Sequence, residues 1–139
     1  MLLPKKVKFR KWHTMRVNPN KPKKAGRGTR LTFGNFGLKA ETPGRIRSNQ
    51  IEAARKTIVR QMRKTGKLWI RIFPDMPYTA KAAEVGMGKG KGDPKGYQVQ
   101  VWPGRLLFEI DGLSDEISRE ALRKAGAKLP LKTRIVSRS

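Results

Sequence analysis

The sequence predicts an α+β domain with a mostly antiparallel sheet and two helices, and two observations carry this prediction. Two stretches have the 3.6-residue apolar period of a helix, while several shorter stretches alternate at the two-residue period of a strand. Along the chain the order is strands, helix, several strands, helix and a last strand, which is typical of the α+β class. The 139 residues are enough for one domain and too few for two of ordinary size.

Residues 1–30 are predicted to form a basic extended arm. They contain eleven basic residues and no acidic one, with three prolines and no sustained periodicity, so we expect a partner to order them. Aromatic rings among cations suit RNA, because bases stack on the rings while phosphates contact the charges. The alternative is that Phe9 and Trp12 pin the arm to the core. The predicted RNA-binding residues of the arm are Lys5, Lys6, Lys8, Arg10, Lys11, Trp12 and His13.

Residues 31–139 are predicted to form a single RNA-binding domain that opens with a strand and a helix. Residues 31–40 alternate, and two glycines suggest a bulge or sharp bend. Residues 48–66 have the helical period, with Ser48 or Asn49 as the cap and a glycine as the stop. The apolar face, which we expect to be buried, consists of Ile51, Ala54, Ile58 and Met62.

The opposite face of this helix is a second predicted RNA-binding site. A helix that buries one side and turns cations outward could lie along phosphates. The alternative is an ordinary solvated basic face. The residues concerned are Arg55, Lys56, Arg60, Arg63 and Lys64.

The remaining elements follow from the same two periods. The clearest strand directs Leu68, Ile70 and Ile72 to one side, and Ser114 can cap the second helix. The predicted order is a strand at 67–75, a short extended piece at 78–85, two strands within 96–112 around a Pro-Gly turn, a helix at 114–130 and a strand at 131–137.

Residues 84–96 are predicted to form a protruding Gly/Lys loop. Glycine occupies every other position from Gly86 to Gly92, and the spacing matches neither a dinucleotide-binding fingerprint nor a P-loop. Glycines let the backbone approach RNA closely, and lysines tolerate imperfect phosphate geometry. The alternative is a solvent loop without a partner. The predicted binding residues are Met87, Gly88, Lys89, Gly90, Lys91 and Gly92.

The charge balance points to a polyanionic partner. The formal net charge is +23, which would hold the chain against nucleic acid or an anionic membrane. No apolar run approaches the length of a membrane span, so nucleic acid is the stronger prediction. The chain has no cysteine and one histidine, and five of its ten carboxylates lie between Glu109 and Glu120, away from the cationic segments. We therefore predict no enzymatic activity, no metal, no cofactor and no small-molecule substrate.

The chain also resembles the bacterial-type L-sixteen family of large-subunit ribosomal proteins, from end to end and in family order. The matching segments are MLLPKKVKFRKWH, TFGNFGLKA, QIEAARK, GKLWIRIFPD, MGKGKG, PGRLLFEIDG and AGAKLPLKT. The resemblance implies a hammerhead-type α+β domain docked on large-subunit ribosomal RNA near the A site and the peptidyl-transferase region. It also implies contacts with A-site transfer RNA and neighbouring ribosomal proteins, and a role late in subunit assembly.

Carried over by the resemblance, residues 87–92 are the loop that reaches the peptidyl-transferase region and residues 5–13 the arm that runs toward transfer RNA. The chain departs from the family at two places. Gly86 stands where an arginine is usual, and Gly96-Tyr97 stands where two adjacent aromatics are usual. We expect a looser loop base, with Trp102 compensating. The implied location is the bacterial cytoplasm, or the ribosome of an organelle that encodes the gene.

Two other functions fit part of the same pattern. A free-standing RNA-binding or RNA-chaperone protein would suit the charge and the arm equally well. An RNA-processing enzyme is disfavoured, because the sequence offers no acid–base constellation.

Overall fold

Residues 1–8, 23–80 and 93–138 are described by the computed structural model. They form seven strands and two helices, which confirms the predicted α+β class. The elements are β1 (Phe36–Ala40), β2 (Gly44–Arg47), α1 (Ser48–Met62), β3 (Lys67–Ile70), β4 (Met76–Ala80), β5 (Asp93–Val101), β6 (Leu106–Asp111), α2 (Asp115–Gly126) and β7 (Thr133–Ser137).

The strands pair antiparallel throughout, but they form two sheets rather than one. A four-stranded sheet has the order β3-β6-β1-β7, and a three-stranded sheet has the order β2-β5-β4. The two helices pack against each other, and α2 also packs against β1 and β7. The sequence predicted a mostly antiparallel sheet, but it predicted neither β2 nor the division of the strands into two sheets.

The core is enclosed by the two helices and both sheets, since Ile46 of β2 and Val101 of β5 are buried together with residues of the four-stranded sheet. The predicted apolar face of α1 is buried as expected: Ile51, Ala54 and Ile58 are almost fully covered and Met62 nearly so. Strand β6 is central and buried from Leu106 to Ile110, so it reads as an apolar run interrupted by one carboxylate, Glu109. Each buried aliphatic side chain contributes roughly 1.5–3 kcal/mol relative to exposure.

The ends of α1 differ from the prediction. Arg47 is the N-cap, and its N–H donates to the Gln50 side-chain oxygen at 2.8 Å. The Ser48 hydroxyl does not cap because it donates to the Leu2 carbonyl at 2.6 Å. The helix ends at Met62, before the predicted glycine stop, because Arg63 adopts a left-handed conformation and its N–H closes on the Val59 carbonyl.

Residues 25–34 lie across the face of the four-stranded sheet that is turned away from the helices. The Ala25 N–H donates to the Pro103 carbonyl, and the Leu106 N–H donates to the Gly28 carbonyl. Leu31 lies so close over the sheet that a Cβ on Gly37 would be 2.7 Å from it. Part of the predicted arm is thus attached to the domain, and its boundary at residue 30 stays a prediction.

The turn between α1 and β3 requires glycine at position 66. Gly66 has a φ of +78°, and an added Cβ would lie 2.5 Å from the Asp111 carbonyl oxygen. We expect Gly66→Ala to lower the free energy of unfolding by about 2 kcal/mol, because strain and a backbone clash add. The control is Gly26→Ala, which meets nothing within 4 Å and should change stability by less than about 0.5 kcal/mol. Equal denaturant midpoints for the two variants would contradict the turn assignment.

Candidate nucleic-acid interface

Four of the five predicted α1 cations form an exposed basic surface, which we call the α1 basic face: Lys56, Arg60, Arg63 and Lys64. The last two follow the helix in a left-handed turn rather than lying on it, with φ of 50° and 69°. None of the four takes part in an ion pair with any residue that the structure describes. Their charges therefore face solvent and are free to meet phosphates.

The fifth predicted cation, Arg55, is already paired. Its guanidinium donates to both carboxylate oxygens of Glu52, at 3.0 and 2.5 Å. The hydrogen bonds from Arg55 lower the pKa of Glu52, so the carboxylate stays charged and neutralises its partner. Arg55 is thus a weaker candidate for phosphate contact than the α1 basic face.

The described part of the arm begins against the N-terminus of α1. Leu2 packs on the core, and its carbonyl accepts the Ser48 hydroxyl. Lys5, Lys6 and Lys8 are exposed. The other predicted arm residues lie outside the described residues and stay predictions: Arg10, Lys11, Trp12 and His13.

The predicted binding residues of the Gly/Lys loop also lie outside the described residues: Met87, Gly88, Lys89, Gly90, Lys91 and Gly92. The structure does describe the strands that carry them. β4 and β5 stay paired up to Ala80 and Asp93, so the connection leaves and returns at one end of the three-stranded sheet. Residues 93–96, which the sequence analysis assigned to the loop, belong to β5.

A cleft of about 500 Å³ lies beside the base of this connection. Its walls bring together the chain start, the beginning of α1 and the loop strands through Met1, Arg47 and Tyr97. Tyr78 covers Gly96, since an added Cβ would be 3.1 Å from its ring, and the Arg47 guanidinium lies 4.6 Å from the Tyr78 centroid.

The expectation that Trp102 compensates for Gly96 is therefore wrong. Tyr78 comes from the neighbouring strand and occupies the space directly above the glycine. Trp102 lies beyond the other end of β5, where Lys23 approaches its ring at 5.4 Å and where it lines a different cleft with Ala25 and Arg27. The adjacent strand thus supplies an aromatic ring at the loop base.

Sequence reasoning missed a cluster of rings and charge on the other sheet, which we call the Phe33 platform: Phe33, Trp69 and Arg71. The Phe33 and Trp69 rings stack with centroids 5.7 Å apart and planes 19° apart. The Arg71 guanidinium lies 5.1 Å from the Phe33 centroid. The available signal was the alternation of residues 67–73, which directs Trp69 and Arg71 away from the core.

Beneath the platform lies Glu109, whose side chain is fully buried. Its Oε1 accepts the backbone N–H groups of Thr32, Phe33 and Gly34 at 2.8, 3.0 and 3.1 Å, and its Oε2 accepts the Arg71 guanidinium. Burial by itself raises the pKa of Glu109, but the hydrogen bonds from Gly34, Arg71, Thr32 and Phe33 outweigh it, so the pKa is lowered. The carboxylate therefore fixes both the Phe33 backbone and the Arg71 head group.

The described residues offer neither a membrane-spanning helix nor a metal site. No helix in residues 1–8, 23–80 and 93–138 has the length and apolarity needed to span a membrane. Within the same ranges, no three His, Cys, Asp or Glu side chains are arranged to hold a metal ion.

Comparison with known proteins gives matches over nearly the whole chain. The family described as ribosomal protein L16p/L10e matches residues 4–136. Large ribosomal subunit protein uL16 of Afipia carboxidovorans is 55% identical over 138 residues, covering 99% of this chain and 98% of the relative. Proteins with the same description from Caulobacter vibrioides and Acidiphilium cryptum are 55% and 54% identical, with 94% and 97% of their own lengths covered.

Proposed function

The chain belongs to the ribosomal protein L16p/L10e family, as a constituent of the large ribosomal subunit, and from this we propose that it binds large-subunit ribosomal RNA near the A site and contacts A-site transfer RNA. Its role is structural rather than catalytic, and it includes support of late subunit assembly. The partners are ribosomal RNA, transfer RNA and neighbouring ribosomal proteins, in a bacterial cytoplasm.

The observation that supports this proposal most directly is the α1 basic face. Its four exposed cations are unpaired within the described structure, while the opposite side of the helix is buried in the core. Cations gathered on one side of a helix and in the turn that ends it suit the fixed phosphate spacing of folded RNA better than scattered surface charge does. In this proposal the α1 basic face docks on ribosomal RNA, while the arm and the Gly/Lys loop extend toward transfer RNA.

Reconstitution tests the proposal. Large subunits depleted of their own copy of this protein are incubated with the purified chain, sedimented in high salt and assayed for A-site transfer RNA occupancy. We expect the chain to co-sediment with the particle and to restore occupancy. A chain that binds RNA but washes off the subunit would instead be a free-standing RNA-binding protein, and the proposal would fail.

Loop variants examine the transfer RNA contact in the same assay. Lys89→Ala with Lys91→Ala removes two charges and keeps the glycines, so stability should change by less than about 0.5 kcal/mol while occupancy falls several-fold. Gly88→Val with Gly90→Val should lower occupancy further, because β-branched residues resist positive φ and hold the backbone away from RNA. If the valine variant incorporates and supports occupancy like the wild type, the loop does not contact transfer RNA.

A further inference from the structure

We propose that the Phe33 platform is a stacking site for an unpaired RNA base. The inference rests on the proposed function, because it assumes that RNA reaches this face of the four-stranded sheet. Phe33 is 52% exposed although it is stacked on Trp69, so about half of its surface stays open to solvent. An exposed aromatic ring offers a base about the same contact whatever its identity, since every base has a π face.

The platform is rigid, which distinguishes it from an aromatic side chain that happens to be exposed. The Phe33 backbone N–H is held by Glu109, and so are those of both neighbours, Thr32 and Gly34. Gly34 is packed so tightly that an added Cβ would be 2.5 Å from the Ile110 carbonyl oxygen. A ring that is fixed before binding loses little conformational entropy when a base stacks on it.

Arg71, whose guanidinium lies over the Phe33 ring, supplies a second planar surface at the platform. Its head group is oriented by the buried Glu109 carboxylate and by its position next to Phe33. Guanidinium planes stack on bases and on aromatic rings, which lysine cannot do. Because Glu109 neutralises Arg71, this pair contributes orientation and stacking surface more than net attraction for phosphate.

The charges around the platform favour RNA over a protein partner. Arg30 is exposed three residues before Phe33, and Lys67 is exposed on the same side of β3 as Trp69. The nearby carboxylate of Asp111 already accepts hydrogen bonds from the Asn35 side chain and the Gly112 N–H. In a chain of net charge +23, an aromatic surface bordered by cations complements a nucleotide, which presents a flat apolar base and an anionic phosphate together.

A single-tryptophan chain reports on the site directly. Trp12→Phe with Trp102→Phe leaves Trp69 as the sole tryptophan, and its fluorescence is followed on titration with a short oligoadenylate. The comparison ligand is an abasic ribose-phosphate oligomer of the same length. We expect oligoadenylate to quench Trp69 and to bind roughly tenfold more tightly than the abasic oligomer, since stacking of one base contributes on that order.

Substitutions at Phe33 test whether the preference for oligoadenylate over the abasic oligomer comes from the platform. Phe33→Leu should abolish most of the preference for bases and the quenching, while Phe33→Tyr should keep both. The matched control is Phe73→Leu, since Phe73 is similarly exposed, at 44%, but lines a different cleft. Thermal melting identifies any variant that fails to fold. If Phe33→Leu does not fold, the proposal is decided by Phe33→Tyr and by the binding of the two oligomers to the chain with phenylalanine at position 33.

The outcomes separate this inference from the proposed function. Equal binding of both oligomers without quenching would overturn the platform and leave ribosomal RNA docking intact. Failure to bind either oligomer would count against both proposals. If an arginine- and proline-rich peptide quenches Trp69 while oligoadenylate does not, the platform contacts protein, and the inference is overturned.

Discussion

We expect Glu109→Gln to lower the free energy of unfolding by about 3 kcal/mol. The amide oxygen can still accept the N–H groups of residues 32–34, but the amide nitrogen then faces the Arg71 guanidinium, donor against donor. Removing one partner of a buried ion pair costs roughly 3–5 kcal/mol, and we expect the lower end because Arg71 is 19% exposed and can recruit water. Urea unfolding of wild type and variant at neutral pH measures the difference.

The same substitution should change how stability depends on pH. Because the pKa of Glu109 is lowered in the folded protein, the folded state binds fewer protons than the unfolded state near the ordinary carboxyl pKa of about 4.3. The stabilisation is therefore fully present above that value and is lost as pH falls through the folded pKa. We expect the difference in free energy of unfolding between the wild type and Glu109→Gln to become smaller as pH falls from about 6 to about 3.

Glu120→Gln is the matched control. Glu120 pairs with Arg123 at 2.7 Å and Lys124 at 3.6 Å, but its side chain is 43% exposed on α2. Exposed pairs contribute little, so this variant should lose less than about 0.5 kcal/mol. If the two variants are equally stable, or if the gap at Glu109 stays constant with pH, then Glu109 does not hold residues 32–34 and Arg71 as an ionised carboxylate.

The parts of the fold that could be predicted from sequence are those set by periodicity. The buried face of α1 follows from its 3.6-residue period, and the Ser114 cap of α2 follows from local chemistry, since its hydroxyl accepts the Ile117 N–H. The predicted N-cap of α1 was wrong because a distant residue decided it: the Leu2 carbonyl accepts the Ser48 hydroxyl. A cap prediction considers only neighbouring residues, so it cannot include an acceptor 46 residues away that competes for the serine hydroxyl.

The candidate site divides in the same way. The α1 basic face could be predicted because its cations lie within nine consecutive residues, on the helix or in the turn that ends it, where sequence spacing alone brings them together. The Phe33 platform could not be predicted, because it joins distant segments: sheet pairing places Trp69 beside Glu109, and hydrogen bonds from residues 32–34 to Glu109 place Phe33 over them. Besides the alternation of residues 67–73, the sequence offered one signal, the single carboxylate of Glu109 inside the apolar run of β6.

The largest functional effect should come from neutralising the α1 basic face. Glutamine at Lys56 and Arg60 keeps helix propensity nearly unchanged, and at Arg63 and Lys64 it replaces one exposed unbranched side chain by another, so the fold should be retained. If each cation contacts one phosphate, the slope of log affinity against log salt falls by about 2.8–3.6. The phosphate contacts contribute nothing at 1 M salt, so the two proteins should bind equally there. At about 0.15 M salt, the slope difference makes the affinity of the variant for large-subunit ribosomal RNA roughly 200- to 1,000-fold lower than that of the wild type.

A variant of α2 with the same change in net charge separates local contact from the overall field. Glutamine at Arg119, Arg123, Lys124 and Lys128 also removes four charges, but Glu120 already partners two of them and Arg119 lies against the Phe36 ring at 5.3 Å. We expect the salt slope of this control to change by less than about one. Filter binding across a salt series measures both. Equal losses of affinity in the α1 and α2 variants would mean that affinity follows net charge alone. An unchanged salt slope for the α1 variant would mean that RNA docks on another surface.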